Sequence, residues 1–183
     1  MPPSSSRILV IFNPVSGGSG SGLLERVVVL LEEAGAAVEV KRTTRRGEAE
    51  EMARDACAAG GLDVIVAAGG DGTIGEVANG LGAGAPPLAI VPLGTANVLA
   101  SEIGLARRAA VVADTILRGR VEMVFAGRAN GRRFLIMAGA GLDAQVVAMA
   151  DPNLKRKFGK LSYVIETWRQ MFQCRYPLLD VDL

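Results

Sequence analysis

The stretch Leu62–Thr73, LDVIVAAGGDGT, decides the fold. Its first part, Leu62–Ala68, is apolar except for Asp63 and rich in Val, Ile and Ala, which predicts a buried central strand. A glycine-rich turn, Gly69–Thr73, follows at once, and helical sequence then continues to about Leu81. A buried strand, a tight turn and a helix in this order are typical of a parallel α/β sheet.

The same order of elements occurs on both sides of this stretch. Strands joined by crossover helices predict an α/β fold, with a doubly wound, mostly parallel sheet over residues 1–120 and helices on both of its faces. The other predicted strands are Arg7–Phe12, Val38–Arg42 and Leu88–Pro92, and the other predicted helices are Leu23–Ala34, Glu48–Ala59 and a region ending at Leu117.

The pattern changes after residue 120. Two strand-like segments, Val121–Ala126 and Arg133–Ala138, flank the pair Asn130-Gly131, which is a strong signal for a hairpin turn. A helix over Phe158–Gln173 and an edge strand over Leu179–Leu183 are also predicted. We therefore expect residues 121–183 to be the start of a second, β-rich domain that is incomplete in this chain.

Composition excludes several classes of function. The 183 residues contain 20 Lys+Arg, 19 Asp+Glu and no histidine, which excludes a Ser-His-Asp triad, an HExxH zinc site and a phosphohistidine mechanism in this chain. The net charge of +1 gives no reason to expect nucleic-acid binding. Cys57 and Cys174 lie outside any CxxC spacing, which predicts free thiols in a reducing, cytoplasmic compartment. The uncharged stretch 77–101 is broken by glycines and prolines and is not expected to span a membrane.

Three predicted loops carry residues suited to binding phosphate. Asn13–Gly22, Gly69–Gly75 and Gly94–Asn97 each follow a predicted parallel strand. Because the carboxyl ends of parallel strands share one edge of the sheet, we expect these loops to converge there. Glycine lets backbone N–H groups approach an anion closely, and the following helix adds partial positive charge. Together the three loops predict a phosphate-binding site.

Common nucleotide-binding patterns do not fit these loops. The Walker A pattern is absent, since no lysine occurs between Lys41 and Lys155. In the GxGxxG pattern, the third glycine would fall where Leu23 stands. The HRD and DFG sequences of protein kinases are also missing. The predicted site must therefore hold phosphates without a P-loop lysine.

Asp71 is the one acidic residue within a glycine loop. Its carboxylate would repel a phosphate unless a Mg²⁺ ion lay between them, or unless it accepted the proton of an attacking hydroxyl. The structural alternative is an N-cap for the helix that follows. The pattern alone leaves these interpretations open.

Three motifs resemble those of the diacylglycerol kinase catalytic domain, a family that includes bacterial lipid kinases, ceramide kinases and sphingosine kinases. They are Asn13-Pro14-x-Ser16-Gly17, Gly69-Gly70-Asp71-Gly72-Thr73 and Pro92-Leu93-Gly94-Thr95-Ala96-Asn97. The later segments Gly139–Ala144 and Phe158–Tyr163 resemble the family as well, the first matching the opening of its lipid-binding domain. The GGDG element alone is shared with NAD kinases and phosphofructokinases, but the combination is specific.

The resemblance implies an ATP-dependent lipid kinase that transfers the γ-phosphoryl group to a lipid hydroxyl, with diacylglycerol or a related lipid as acceptor. It implies ATP and Mg²⁺ as cofactors, with Asp71 as the catalytic carboxylate, bound to Mg²⁺ directly or through water or acting as the base. Asp143 would contact the polar head of the lipid. The implied nucleotide-binding residues are Asn13, Ser16, Thr43, Gly69, Gly70, Asp71, Gly72, Thr73, Ile74, Gly75, Thr95 and Asn97.

The sequence departs from the family pattern in two places. Gly75 stands where members usually have Asn, and Val98 where many bacterial members have Asp. An Asp-Gly motif, which supplies the family's proposed proton acceptor and regulatory metal site, is expected beyond Leu183. Two other functions stay open, an NAD-kinase-like phosphotransferase and a truncated nucleotide-binding module without turnover.

Two basic clusters bear on the expected partners. The first cluster consists of Lys41-Arg42 and Arg45-Arg46, and the second of Lys155–Lys157 and Lys160. A solvated surface is the simpler interpretation, and docking on anionic lipid headgroups is the alternative, favoured for the second cluster. The expected partners are ATP and a lipid at the membrane surface, with peripheral contact at the inner membrane face and no nucleic acid. The oligomeric state is left open, a homodimer included.

Overall fold

The computed structural model describes residues 6–16 and 21–139. The chain divides into two compact units, residues 1–136 and 137–183, and the described strands and helices belong to the first. The strands are β1 (Arg7–Phe12), β2 (Ala37–Arg42), β3 (Val64–Gly69), β4 (Leu88–Pro92), β5 (Gly127–Ala129) and β6 (Arg132–Phe134). The helices are α1 (Ser21–Glu33), α2 (Glu48–Ala59), α3 (Asp71–Gly80), α4 (Val98–Glu102) and α5 (Ala109–Arg118).

Strands β1 to β4 form one parallel sheet in the order β2-β1-β3-β4. At its centre, Val10 lies between Val40 of β2 and Val66 of β3. The chain passes from β1 to β2 on one side and enters β3 on the other side of β1. A topological switch point therefore lies between the carboxyl ends of β1 and β3, where such sheets bind ligands. The predicted α/β fold with a mostly parallel sheet is confirmed.

One face of this sheet is covered by α1 and α5, and the other by α2 and α3 together with Ala100 of α4. In β1, Val10 faces the core formed with α1 and α5, whereas Leu9 and Ile11 face the core formed with α2 and α3. All three side chains are at most 1% exposed. Burial on both faces explains why the strand sequence is continuously apolar and does not alternate.

Small residues let α2 and α3 pack closely on one face. Ala53 is fully buried on α2. Opposite it on α3, a Cβ added to Gly80 would lie 2.8 Å from the Cβ of Ala53 and 3.0 Å from the backbone N of Arg54. A larger residue at position 80 would push the helices apart. This packing fixes α3, which begins at Asp71 within the GGDG sequence.

One predicted helical region is divided in the structure, and one predicted strand is absent. The helical region ending at Leu117 is divided into α4 and α5 by a turn in which Gly104 has φ +67°. The apolar spacing continues through this break because Leu105 packs against the core. The predicted strand Val121–Ala126 is wrong, because these residues have no strand structure. Among the described residues, no strand lies beside this segment to satisfy its backbone groups, and a strand requires such a partner.

The Asn130-Gly131 pair forms the predicted hairpin turn. Both residues have positive φ, 48° and 77°, as a type I′ turn requires. The turn joins β5 to β6 in an antiparallel pair. The second strand ends at Phe134 and not at the predicted Ala138.

Arg133 ties this hairpin to the C-terminal end of α3. Its backbone N–H donates to Asn79 Oδ1 at 2.9 Å, and Asn79 Nδ2 donates back to the Arg133 carbonyl at 2.9 Å. The Arg133 guanidinium donates to the carbonyls of Ala78 and Leu81 at 3.0 and 2.8 Å. The last carbonyls of a helix have no hydrogen-bond partner within the helix. The Arg133 side chain therefore provides donors for two carbonyls at the end of α3.

Some predictions lie outside the described residues. These are the helix over Phe158–Gln173, the edge strand over Leu179–Leu183 and the state of Cys174. The domain boundary at residue 120 stays a prediction. Cys57 on α2 is a half-buried free thiol. In the part of the chain that the structure describes, no helix is both long and apolar enough to cross a membrane.

Candidate functional site

The three loops meet at the carboxyl edge of the sheet because backbone hydrogen bonds extend the strand pairing past the strand ends. Asn13 N donates to Ala68 O at 2.9 Å, Thr43 N to Phe12 O at 2.8 Å, and Leu93 N to Gly69 O at 2.9 Å. The first and third loops, and the segment after β2, therefore start from a backbone that a neighbouring strand already holds in register.

Side chains then join the first loop to the second. Asn13 Nδ2 donates to Thr73 Oγ1 at 3.1 Å, and the N–H of Gly70 donates to Ser16 Oγ at 3.3 Å. The Asn13 side chain also folds its own loop, since its Oδ1 accepts the N–H of Val15 at 3.1 Å. Four of the residues predicted to bind nucleotide are thus in direct contact.

The third loop packs on the second through glycine backbone. A Cβ added to Gly94 would lie 2.5 Å from the Cα of Gly70 and 2.9 Å from Asn97 Oδ1. Asn97 is 4% exposed and adopts the left-handed conformation at φ 48°. Its Nδ2 donates to the Gly94 carbonyl at 2.7 Å. Asn97 therefore closes the turn that brings Gly94 against Gly70, while Thr95 lies exposed on the same turn.

Asp71 is the first residue of α3 and connects that helix to α4. Its Oδ1 accepts the N–H of Leu99, in the first turn of α4, at 3.2 Å. The N-cap of α3 itself is Gly70, which has an extended backbone and makes no side-chain cap bond. The capping interpretation of Asp71 is therefore wrong for the helix that follows it in sequence. The carboxylate supports the next helix along the chain, 28 residues away.

A cavity of about 250 Å³ opens beside these loops. Three predicted residues line it: Asn13, Thr43 and Thr73. The sequence did not single out its other lining residues as site residues, and they are Val15, Thr44, Arg45, Arg46, Ala49 and Glu76. The basic cluster after β2 was the signal that could have found the two arginines, because a strand end at the ligand-binding edge leads directly into it.

Glu48 holds the cavity wall that follows β2. Its carboxylate accepts the backbone N–H of Thr44 at 2.5 Å, the Thr44 hydroxyl at 3.0 Å and the N–H of Arg45 at 3.3 Å. The hydrogen bonds from Thr44 hold the pKa of Glu48 below its usual value. Beside it, a hydrogen bond and ion pair with Glu51 raise the pKa of Arg45. The wall is thus ordered by local charge and hydrogen bonding.

The remaining predicted residues differ in what surrounds them. Ile74 is 1% exposed and packs in the core with α2, and its N–H donates to the Gly70 carbonyl at 3.1 Å. A Cβ added to Gly69 would lie 2.9 Å from Thr73 Cγ2, whereas one added to Gly72 or Gly75 would meet nothing within 4 Å. Asp143 lies outside the described residues. The nucleotide contacts of these residues stay predictions.

No group of three or more acidic, His or Cys side chains that could hold a metal occurs within residues 6–16 and 21–139. Mg²⁺ in kinase sites usually binds through one or two carboxylates together with phosphates and water. Asp71 is half-buried at the loops and uses one of its two carboxylate oxygens for Leu99. A single carboxylate at this position suits such a nucleotide-bound ion.

Comparison with known sequences identifies the fold and the motifs as those of one family. The sequence pattern of the "Diacylglycerol kinase catalytic domain" matches residues 7–129. The chain belongs to this family. Its match spans all three glycine loops and the hairpin strand β5.

Named relatives and solved structures of this family align with most of the chain. A diacylglycerol kinase of Bacillus subtilis is 35% identical over 180 residues, covering 96% of this chain and 59% of the relative. A probable lipid kinase, YegS-like, of Pseudomonas aeruginosa is 36% identical over 149 residues, covering 80% and 49%. The crystal structure of a putative diacylglycerol kinase from Bacillus anthracis superposes with a TM-score of 0.64 at 32% identity, covering 71% and 46%. The chain thus spans about half the length of these relatives.

Proposed function

We propose that the protein is an ATP-dependent lipid kinase that transfers the γ-phosphoryl group to the hydroxyl of diacylglycerol or a related lipid. The observation that carries the proposal is the contact between the three glycine loops, which join at one sheet edge around Thr73, Gly70 and Gly94. The names of the relatives, diacylglycerol kinase and lipid kinase, support the same class of acceptor.

ATP is proposed to bind in the cavity and along the first turn of α3. The cavity adjoins Asn13 and Thr73, whose side chains are held together at 3.1 Å. Backbone amides and the partial positive charge at a helix start favour phosphate groups. With these donors already in position, little reorganisation is needed when the nucleotide enters, which favours both binding and catalysis.

Asp71 is proposed to hold Mg²⁺, directly or through water, or to accept the proton of the lipid hydroxyl. When bound, Mg²⁺ would neutralise charge on the β- and γ-phosphates. In the transfer, the lipid oxygen forms a bond to the γ-phosphorus and the bond from that phosphorus to the bridging oxygen breaks, so that ADP leaves. The hydroxyl proton passes to a carboxylate or to solvent. Asp143 is proposed to orient the lipid head at the membrane surface.

The test replaces Asp71 by Asn in the full-length protein and measures phosphate transfer from ATP to diacylglycerol in mixed micelles with Mg²⁺. We expect a loss on the order of a hundredfold or more, the size found when an electrostatic contact to a transition state is removed. Asp114→Asn is the matched control, because Asp114 pairs with Arg118 on the surface of α5.

Three results would contradict the proposal. If Asp71→Asn transferred phosphate to diacylglycerol as fast as the wild type, the proposed role of Asp71 in catalysis would be wrong. Phosphorylation of NAD⁺ in place of diacylglycerol would indicate an NAD-kinase-like enzyme. A rise in melting temperature with ATP, but no product with any lipid, would indicate a binding module without turnover.

A further inference from the structure

We infer that Arg46 is a further nucleotide-binding residue that contacts the phosphates of ATP. The inference rests on the proposed function and adds to it a cation that none of the glycine loops contains. It also separates Arg46 from the basic cluster, whose simplest interpretation from sequence is a solvated surface. The structure places Arg46 in the wall of the cavity, together with Asn13 and Thr73.

The two neighbouring arginines of this wall are not equivalent. The guanidinium of Arg45 forms an ion pair with Glu51 of α2. Within the described part of the chain, no carboxylate lies at salt-bridge distance from Arg46. The positive charge of Arg45 is therefore already compensated, whereas no carboxylate among the described residues compensates that of Arg46.

The backbone that presents Arg46 is held in place before any ligand binds. Glu48 accepts hydrogen bonds from Thr44 and Arg45, the two residues that precede Arg46. Gly47, which follows it, has φ +83° and forms the N-cap of α2. The main chain is thus held on both sides of Arg46, whose side chain is exposed. A backbone that is already in place loses less entropy when a ligand binds.

The chemistry of the cavity favours phosphate as the partner of this guanidinium. The glycine loops after β3 and β4, residues 69–75 and 94–97, contain neither lysine nor arginine. The single acidic residue in the cavity lining, Glu76, forms no salt bridge with Arg46. A guanidinium matches the oxygens of a phosphate with two parallel hydrogen bonds, and hydrogen bonds to charged groups are among the stronger ones.

The experiment measures ATP and adenosine dissociation constants by calorimetry for the full-length wild type, Arg46→Ala and Arg46→Lys. We expect Arg46→Ala to weaken ATP binding about tenfold or more, because hydrogen bonds between charged groups are among the stronger ones. We expect Arg46→Lys to recover part of the lost ATP affinity. Lysine keeps the positive charge but cannot form the two parallel hydrogen bonds of a guanidinium. Adenosine binding stays unchanged. Arg54→Ala is the control of equal charge change, because Arg54 pairs with Glu50 on α2 and does not line the cavity.

The ways in which this test can fail are distinguishable. If the wild type binds ATP and Arg46→Ala binds it equally well, the inference is overturned and the proposed function is untouched. An equal loss of adenosine affinity in Arg46→Ala would assign the side chain to the base and overturn the phosphate contact. If Arg46→Ala loses only binding to anionic vesicles, the residue serves the membrane and the inference is likewise overturned. A wild type that binds no ATP at all would overturn the proposed function itself.

Discussion

Gly94 lies so close to Gly70 that a side chain on either would press on the backbone of the other. A Cβ on Gly94 would be 2.5 Å from the Cα of Gly70, and one on Gly70 would be 3.3 Å from the Cα of Gly94. The two positions come from loops that follow adjacent parallel strands. Their contact makes the second and third glycine loops one surface.

We expect Gly94→Ala to destabilise the protein by about 1–3 kcal/mol, the usual result of inserting a methyl group into a closely packed site. Urea unfolding would measure the free energy difference. Gly82→Ala is the control, because a Cβ at Gly82 meets nothing within 4 Å and its φ is not positive. An equal effect of both substitutions would show that the contact with Gly70 is unimportant.

Asp71 has a structural contribution that can be separated from its charge. Its Oδ1 accepts the N–H of Leu99 at 3.2 Å, and the side-chain carbonyl of an asparagine can accept the same bond. We therefore expect Asp71→Asn to keep nearly the stability of the wild type, and Asp71→Ala to lose about 1 kcal/mol, as for removal of a helix cap. Thermal unfolding would measure both. Equal melting temperatures for the two variants would contradict the capping of α4.

We expect the hydrogen bond between Asn13 and Thr73 to couple the loop after β1 energetically to the loop after β3. We expect a double-mutant cycle of Asn13→Ala and Thr73→Val to give a coupling of about 1 kcal/mol, the net contribution of a typical hydrogen bond. Unfolding free energies of the four proteins provide the measurement. Strict additivity would mean that the 3.1 Å contact does not stabilise the fold.

Glu48 should make stability depend on pH in the acid range. Its pKa is lowered in the folded protein by hydrogen bonds from Thr44, with a smaller contribution from the charge of Arg45. A lowered pKa means that ionised Glu48 stabilises the fold above its unfolded pKa, and that this contribution is lost as pH falls through the folded pKa. We expect Glu48→Gln to be less stable than the wild type at pH 7, with the difference shrinking well below the ordinary carboxylate pKa of about 4. A difference that stays constant over pH would refute the assignment.

Gly75 and Gly80 lie in the same helix but should respond in opposite directions to alanine. A Cβ at Gly75 meets nothing within 4 Å, whereas one at Gly80 would approach Ala53 Cβ to 2.8 Å. We expect Gly75→Ala to stabilise the protein by about 0.5–1 kcal/mol, because alanine loses less backbone entropy in a helix. Gly80→Ala should destabilise it by forcing α2 away from α3. The two melting temperatures, measured side by side, test both statements.

Local sequence was sufficient for most of the sheet and for the order of its helices. The bounds of β1, β4 and α2 agree with the predicted Arg7–Phe12, Leu88–Pro92 and Glu48–Ala59. Burial on both faces produces unmistakable apolar runs, and the glycine after a strand marks the turn. The convergence of the loops also follows from the fold class, since parallel strands end at one edge.

Contacts between distant residues could not be predicted in the same way. Nothing in the neighbourhood of Asp71 indicates that its carboxylate would cap a helix beginning 27 positions later at Val98. Nor does the sequence distinguish Arg45 from Arg46, because their difference depends on Glu51, one helical turn into α2. The wrong strand at Val121–Ala126 has a related cause, since an apolar pattern does not reveal whether a pairing partner exists.

Arg133 gives α3 an anchor that is independent of the glycine loops. The helix is ten residues long, or about 15 Å, and Asn13 and Ser16 hold its first turn while Arg133 clamps its last. Hydrogen bonds thus hold this short helix at both of its ends. We therefore expect a displacement of the β5–β6 hairpin to move α3 and, with it, Asp71.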